Sequence, residues 1–193
     1  ASAIETCSFI EDDFIVINGD VTVSERDIGK ILDKFRETGE TSILATDENA
    51  PEKFGVLSIT NDEVKNIEEK PENPENPLVN TGIYVFKPEI FNTIENLSEG
   101  EDSITDAVKN LIDSEGARFE LVQDYWIDIG SGKKLWKADQ IKREYEITET
   151  EISDEAEVSE EATITGTTVV EEGAEIKAGT VIEGKCFIGR NSI

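Results

Sequence analysis

Four consecutive apolar residues, Phe14-Ile15-Val16-Ile17, stop abruptly at Asn18-Gly19-Asp20. A short run without alternation predicts a strand buried on both faces, of the kind found in parallel α/β sheets. The polar stop puts a glycine and then a carboxylate just past the strand's carboxyl end, the edge of an open α/β sheet where ligands bind. Taken alone, the same three residues read better as a turn. The period then changes. Ser24 stands as an N-cap with Asp27 at the capping-box position, and Ile28, Ile31, Leu32 and Phe35 keep helical spacing up to Gly39. Strands are predicted over 41–46, 54–59 and 64–67, with a turn at Asn61-Asp62. The segment Glu69 to Pro77 holds three prolines and is a loop.

A further strand runs over 78–86, interrupted by Asn80-Thr81-Gly82. A helix starting at Pro88 buries Ile90, Phe91, Ile94 and Leu97, and a second over 103–114 buries Ile104, Val108, Leu111 and Ile112. A strand-like segment at 119–122 and then Trp126-Ile127-Asp128-Ile129-Gly130 lead to a helix capped by Ser131 that carries Leu135, Trp136, Ala138 and Ile141. Tyr84, Trp126 and Trp136 are assigned to core packing. Strands alternating with helices predict an α/β layer structure with a largely parallel sheet.

After Tyr145 neither helical nor strand periodicity survives. Ile152, Val158, Ile164, Val170, Ile176, Ile182 and Ile188 recur every six residues, each followed four positions later by a small residue, from Ala156 to Ser192. Seven hexads in register predict a solenoid of short parallel strands stacked in triangular coils, the aliphatic residue inside and the small one at the corner.

Composition narrows the functions open to such a chain. Across 193 residues, 44 acidic side chains against 18 basic ones give a net charge of −26. That field repels nucleic acid and anionic lipid. An anionic substrate would therefore need a metal or a locally placed Lys or Arg. With no His in the chain, imidazole catalysis and His-based metal sites are excluded. Cys7 and Cys186 match no metal-ligand spacing and are expected to be reduced thiols of a cytoplasmic protein. No apolar run is long enough to span a membrane. The absence of Met, together with a start close to a core strand, reads as a piece of something longer.

Besides the Asn18-Gly19-Asp20 stop, four blocks follow in order: K-F-G-V at 53–56, E-E-K-P at 68–71, V-N-T-G-I-Y at 79–84 and W-I-D-I-G at 126–130. Five blocks followed by hexads resemble the sugar nucleotidyltransferases, in particular glucose-1-phosphate thymidylyltransferases and UDP-N-acetylglucosamine pyrophosphorylases. Forms with a solenoid tail, including archaeal bifunctional ones, match best. The resemblance implies a partial Rossmann-like α/β domain over 1–146 with a mixed, mostly parallel sheet. Over 147–193 it implies the truncated start of a left-handed parallel β-helix.

The implied reaction is Mg²⁺-dependent transfer of a nucleotidyl group from a nucleoside triphosphate, dTTP or UTP, to a sugar 1-phosphate, releasing pyrophosphate. Phosphoryl chemistry of this kind rests on positioning and charge neutralisation, and Mg²⁺ takes a couple of carboxylates plus phosphate oxygens and water. By the resemblance, Asp20 and Asp128 bind the metal, and Lys70 neutralises the sugar's phosphate. Glu69 holds sugar hydroxyls, Asn80 contacts the sugar, and Thr81 and Gly82 let the backbone approach it; Gly55 makes room. The bland alternatives stay open at each position: a helix-cap or turn residue for Asp128, an exposed ion pair for Glu69-Lys70, a bulge at Gly82 and a plain strand glycine at Gly55.

One departure stands against these matches. The family's glycine-rich nucleotide loop, with its Arg and Lys, and its base-recognition segment have no counterpart before Asp20. The chain is therefore expected to hold the sugar and metal side of the site, and to be inactive or poorly folded by itself. A non-catalytic regulatory or assembly homologue is the alternative, excluded if the full gene encodes an intact G-G-x-G-x-R segment. Acyl transfer by the solenoid is the third reading, and it lacks the His and the further coils such sites use. No nucleic acid or membrane partner is expected, and the solenoid is expected to form homo-oligomers.

Overall fold

Ile83 and Val85 alternate with Tyr84 and Phe86, so one strand carries two apolar faces, and the fold is layered around it. The computed structural model describes residues 2–98 and 103–193. That strand, β6 (Leu78–Phe86), is buried along almost its whole length. It lies in a six-stranded sheet with β1 (Phe14–Ile17), β3 (Ser42–Asp47), β4 (Gly55–Thr60), β5 (Glu63–Glu69) and β7 (Ala117–Leu121). The order is β1-β6-β3-β7-β5-β4, with β4 also touching β6. On one face Ile83, Val85 and Leu44 meet Ile31 and Phe35 of helix α2 (Glu25–Thr38). On the other, Tyr84 and Phe86 meet Phe91 and Ile94 of α3 (Ile90–Glu95) and Val108 and Leu111 of α4 (Ile104–Glu115). Each such buried side chain contributes roughly 1.5–3 kcal/mol relative to exposure. A short helix, α1 (Ser2–Glu5), precedes β1.

The sheet is mixed, but the expected predominance of parallel pairing is reversed. Among the described pairs only β3–β7 is parallel; β1–β6, β3–β6, β4–β5, β4–β6 and β5–β7 are antiparallel. The reason is local at β4–β5: Asn61 and Asp62, at φ 51° and 63°, form a two-residue turn between Thr60 and Glu63. Such a turn closes hairpins, whereas a parallel pair needs a long crossover. The apolar run of β1 is likewise not buried on both faces. It pairs antiparallel with β6 at one end of the sheet, half-buried, and Ile17 is 45% exposed. Asn80-Thr81-Gly82 does not break β6; the strand continues through it. The register with β3 jumps there, from Ile43 opposite Tyr84 to Ala45 opposite Asn80, so the backbone bulges where the sequence showed an interruption.

Two helix starts follow from local chemistry. Ser24 Oγ accepts the Asp27 N–H at 3.1 Å, and Gly39, at φ 65°, closes α2 by donating to Phe35 O at 2.8 Å. The capping box expected at Asp27 is absent, because its carboxylate is engaged elsewhere. A complete box occurs instead at α4, where Ser103 and Asp106 cap each other.

The chain divides into two compact units, Ala1–Ile129 and Gly130–Ile193. The second begins with α5 (Gly132–Glu146), capped by Ser131. Its apolar positions form too narrow a stripe to bury: Ala138 is buried, but Leu135 is 58% and Trp136 62% exposed, so Trp136 is not a core residue. Seven short strands follow: β9 (Glu151–Ile152), β10 (Glu157–Val158), β11 (Thr163–Thr165), β12 (Thr168–Val170), β13 (Glu175–Ile176), β14 (Val181–Glu183) and β15 (Cys186–Ile188). All their pairings are parallel and join residues three hexads apart: Ile152 with Val170, Val158 with Ile176, Ile164 with Ile182, Val170 with Ile188. These pairings fit the start of a parallel β-helix. Val170, Ile176 and Ile182 are buried with Ala174 and Thr168, while Ile152 and Val158 are 45% and 36% exposed. No helix among the described residues is long and apolar enough to cross a membrane.

Candidate active site

Asp20 and Asp128 reach one place from the two strands of a small ribbon. β2 (Val21–Val23) pairs antiparallel with β8 (Trp126–Asp128), setting Val21 opposite Asp128. One step further, the Ile129 N–H donates to Asp20 O at 2.6 Å. Both aspartates therefore stand at the same end of the ribbon, and both line an open cleft of about 530 Å³. That volume suits a small molecule. Among the described residues no group of three or more His, Cys, Asp or Glu side chains is arranged to hold a metal ion, so this pair supplies two carboxylates without a third.

The remaining sequence-derived candidates, Gly55, Glu69, Lys70, Asn80, Thr81 and Gly82, line the same cleft. β6 carries the last three. The Asn80 side chain, 9% exposed, is the hub: its Oδ1 accepts the Gly82 N–H at 2.9 Å and the Tyr84 hydroxyl at 2.7 Å, and its Nδ2 donates to Gly55 O at 3.4 Å. An amide nitrogen carries two N–H groups, so one remains beyond the Gly55 bond. A Cβ on Gly55 would overlap Asn80 Nδ2, so the strand glycine is what lets this amide fit. Gly82, at φ 75°, holds a conformation that L side chains avoid, and a Cβ there would overlap the Asn18 side chain. The close approach allows Asn18 N–H to donate to Gly82 O at 3.0 Å. Thr81 Oγ1 donates to Leu44 O at 2.7 Å.

Glu69 ends β5 and Lys70 follows it at φ 47°, its N–H donating to Phe54 O at 2.9 Å. A non-glycine residue in this region just before a proline is strained, by roughly 1–3 kcal/mol, and such strain concentrates at binding sites. The two side chains form an ion pair at 3.4 Å that stays substantially exposed. Worth little as a stabiliser, the pair nonetheless stands in the cleft wall. Glu69 Oε2 also accepts the Thr105 hydroxyl at 3.1 Å.

Sequence reasoning missed several cleft residues. Lys53 adds a second ammonium to Lys70, and its only signal was the K-F-G-V block. Ser103, Ile104 and Thr105 bring the start of α4 to the cleft, a non-local approach with no local signal. Tyr84, assigned to the core, is both buried and a cleft residue: it stacks on Phe86 with ring centroids 5.3 Å apart. Trp126, half-buried, packs against the core cluster under α2 as expected and also forms a cleft wall. It donates Nε1–H to Thr81 O at 3.0 Å and sits edge-on to Phe54 at 5.8 Å.

Burial, reinforced by the Glu69 carboxylate, drives the Tyr84 phenol pKa far above its ordinary value. The phenol is raised on folding, so its contribution to stability is complete below about pH 10, the ordinary range, and declines as pH rises through the raised value. In an alkaline titration followed by phenolate absorbance, the component lost in Tyr84→Phe is expected to develop only beyond the ordinary tyrosine range. A component developing within that range would show the ring open to solvent.

The chain resembles known proteins over most of its length. The sequence is 33% identical over 170 residues to the Bifunctional protein GlmU of Methanocaldococcus jannaschii, covering 86% of this chain and 39% of that protein. It is 32% identical over 188 residues to the glucose-1-phosphate thymidylyltransferase of Streptomyces griseus, covering 93% of this chain and 50% of that one. The chain thus spans between two fifths and one half of the length of these curated relatives. A Bacillus anthracis structure assigned as a glucose-1-phosphate thymidylyltransferase, in complex with sucrose, superposes with a TM-score of 0.67 at 31% identity, over 73% of this chain and 59% of that one. A UDP-glucose pyrophosphorylase of Acinetobacter baumannii shares the fold with a TM-score of 0.66 at 23% identity, over 75% and 56% of the two chains. The sequence model of the nucleotidyl transferase family matches residues 1–145, which contain every strand of the mixed sheet and the whole cleft, and the chain belongs to that family.

Proposed function

We propose that this chain holds the sugar and metal side of a sugar-1-phosphate nucleotidyltransferase site. The parent reaction joins a nucleoside triphosphate, dTTP or UTP, to a sugar 1-phosphate and releases pyrophosphate. The main support is that five sequence blocks spanning Asn18 to Asp128 line one cleft. The catalytic unit is residues 1–146, and residues 147–193 are the first coils of a left-handed β-helix that mediates homo-oligomerisation in the cytoplasm.

Asp20 and Asp128 are the residues that hold Mg²⁺. Two carboxylates without nitrogen or sulfur ligands suit that ion, which leaves its other positions to phosphate oxygens and water. When bound, the ion neutralises charge on the phosphoryl oxygens. Lys70 neutralises the sugar's phosphate and orients its attacking oxygen. Glu69 accepts sugar hydroxyls, and the second N–H of Asn80 donates to the sugar. Thr81 and Gly82 offer backbone, and Gly55 keeps the floor of the cleft flat. The rate gain rests on holding both phosphates in line.

The test is pyrophosphate release by the full-length protein from a triphosphate and a sugar 1-phosphate. Release is expected with Mg²⁺ and not with chelator. Lys70→Gln is expected to raise KM for the sugar phosphate about tenfold, the loss of one charge-assisted contact. No release from any pair in the presence of Mg²⁺ would favour a non-catalytic assembly homologue.

A further inference from the structure

Asp27 lies outside the cleft, yet among the described residues it is the one Asp, Glu, Lys or Arg that is buried, with 0% exposure. Its Oδ1 accepts the Gln123 N–H at 2.8 Å, and its Oδ2 accepts the Asp124 N–H at 3.1 Å and the Ser24 hydroxyl at 2.7 Å. A buried carboxylate is costly unless it is fully hydrogen-bonded. A cap on α2 would need no burial, since the Ser24 hydroxyl already accepts the Asp27 N–H in the capping position. The two backbone amides explain the placement: they belong to the segment that enters β8.

From that segment the contacts run as one ladder. Ser24 N–H donates to Tyr125 O at 3.2 Å; Val23, Thr22 and Val21 then face Trp126, Ile127 and Asp128; and Ile129 N–H reaches Asp20 O. Asp27 grips one end of this ladder, and the two aspartates of the cleft stand at the other. A ribbon of two three-residue strands is marginal in water. A slip of one residue would turn every side chain to the opposite face, exchanging Asp128 with the buried Ile127. The Trp126 indole bond to Thr81 holds the ribbon on β6, but a side chain can swing to follow a slip. One carboxylate gripping two successive backbone amides cannot.

We propose that Asp27 is the register pin of the β2–β8 ribbon, and so a positioning residue for the Asp20–Asp128 pair. The proposal rests on the reading that this pair holds a divalent cation. The test is Mn²⁺ affinity of the whole chain, read from the electron paramagnetic resonance signal of the free ion. Asp27→Asn keeps the size of the side chain but turns one acceptor into a donor facing an N–H. It is expected to weaken Mn²⁺ binding at least about tenfold, the scale seen when supporting partners of metal ligands are lost. Arg26→Ala removes only the exposed pair with Asp124, 3.1 Å apart, and is expected to bind as wild type. Circular dichroism checks folding. If Asp27→Asn does not fold, Gln123→Pro deletes one of the gripped amides from the other side and is expected to give the same loss.

Binding by Asp27→Asn at wild-type strength, with Asp128→Asn defective, would overturn the pin and leave the cation reading intact. Failure of the wild-type chain to bind Mn²⁺ would overturn both.

Discussion

Asp128→Asn, and separately Asp20→Asn, is expected to lower the rate of pyrophosphate release by at least about a hundredfold, the scale on which single charge-stabilising groups act in such reactions. Each substitution keeps the shape and removes a charge. The ribbon that carries both residues is held by backbone bonds and by Val21, Ile127 and Trp126, none of which is altered, so thermal unfolding should be unchanged. No neighbouring carboxylate stands ready to take over, since the described residues contain no third acidic or thiol partner in a metal-binding cluster. Raised Mg²⁺ should restore part of the rate if the surviving aspartate still binds weakly. Near-normal turnover by either variant would sink the assignment of the pair as metal ligands.

Asn80→Ala is expected to destabilise the first unit by about 3 kcal/mol. It strands three groups at once: the Tyr84 hydroxyl, the Gly82 N–H and the Gly55 carbonyl. Each buried group left without a partner costs about 1–3 kcal/mol, and some relaxation toward the cleft reduces the sum. Urea unfolding followed by tryptophan fluorescence gives the value, because Trp126 lies beside the network. Tyr84→Phe removes only one bond and should cost nearer 1 kcal/mol. A loss below that figure for Asn80→Ala would mean that water enters from the cleft and replaces the amide. The amide would then serve the ligand and not the fold.

The features legible in the sequence are those whose chemistry is local. Ser24, Gly39 and Ser131 announce helix ends because a cap is satisfied within a few residues. The six-residue spacing is legible because it is written in consecutive sequence, and the strands pair in the same eighteen-residue register throughout. The eight candidate residues, drawn from blocks scattered between Asp20 and Asp128, line one cleft. What the sequence could not show depends on partners far along the chain. An apolar run such as Phe14–Ile17 does not reveal whether its neighbour runs with it or against it, and β6 runs against it. Asp27 at the third position of a helix looks like a capping-box residue until its carboxylate is seen to bond amides 96 and 97 residues away. Thr105 reaches Glu69 across 36 residues, and Trp136 looks like core until the narrow stripe of α5 leaves it exposed.

The register of the second unit constrains how its gene can change length. Every pairing there links a residue to one eighteen positions later, as Ile152 to Val170 and Val170 to Ile188. Inserting or deleting one residue on a strand would put every later aliphatic side chain out of phase with the strand beneath it. Length variants among relatives should therefore come in whole hexads, or as excursions at the corners that rejoin in phase. In the first unit, by contrast, the stretch from Pro71 to Glu75, between the anchored Lys70 and Asn76, carries no repeat and should tolerate changes of any small number of residues.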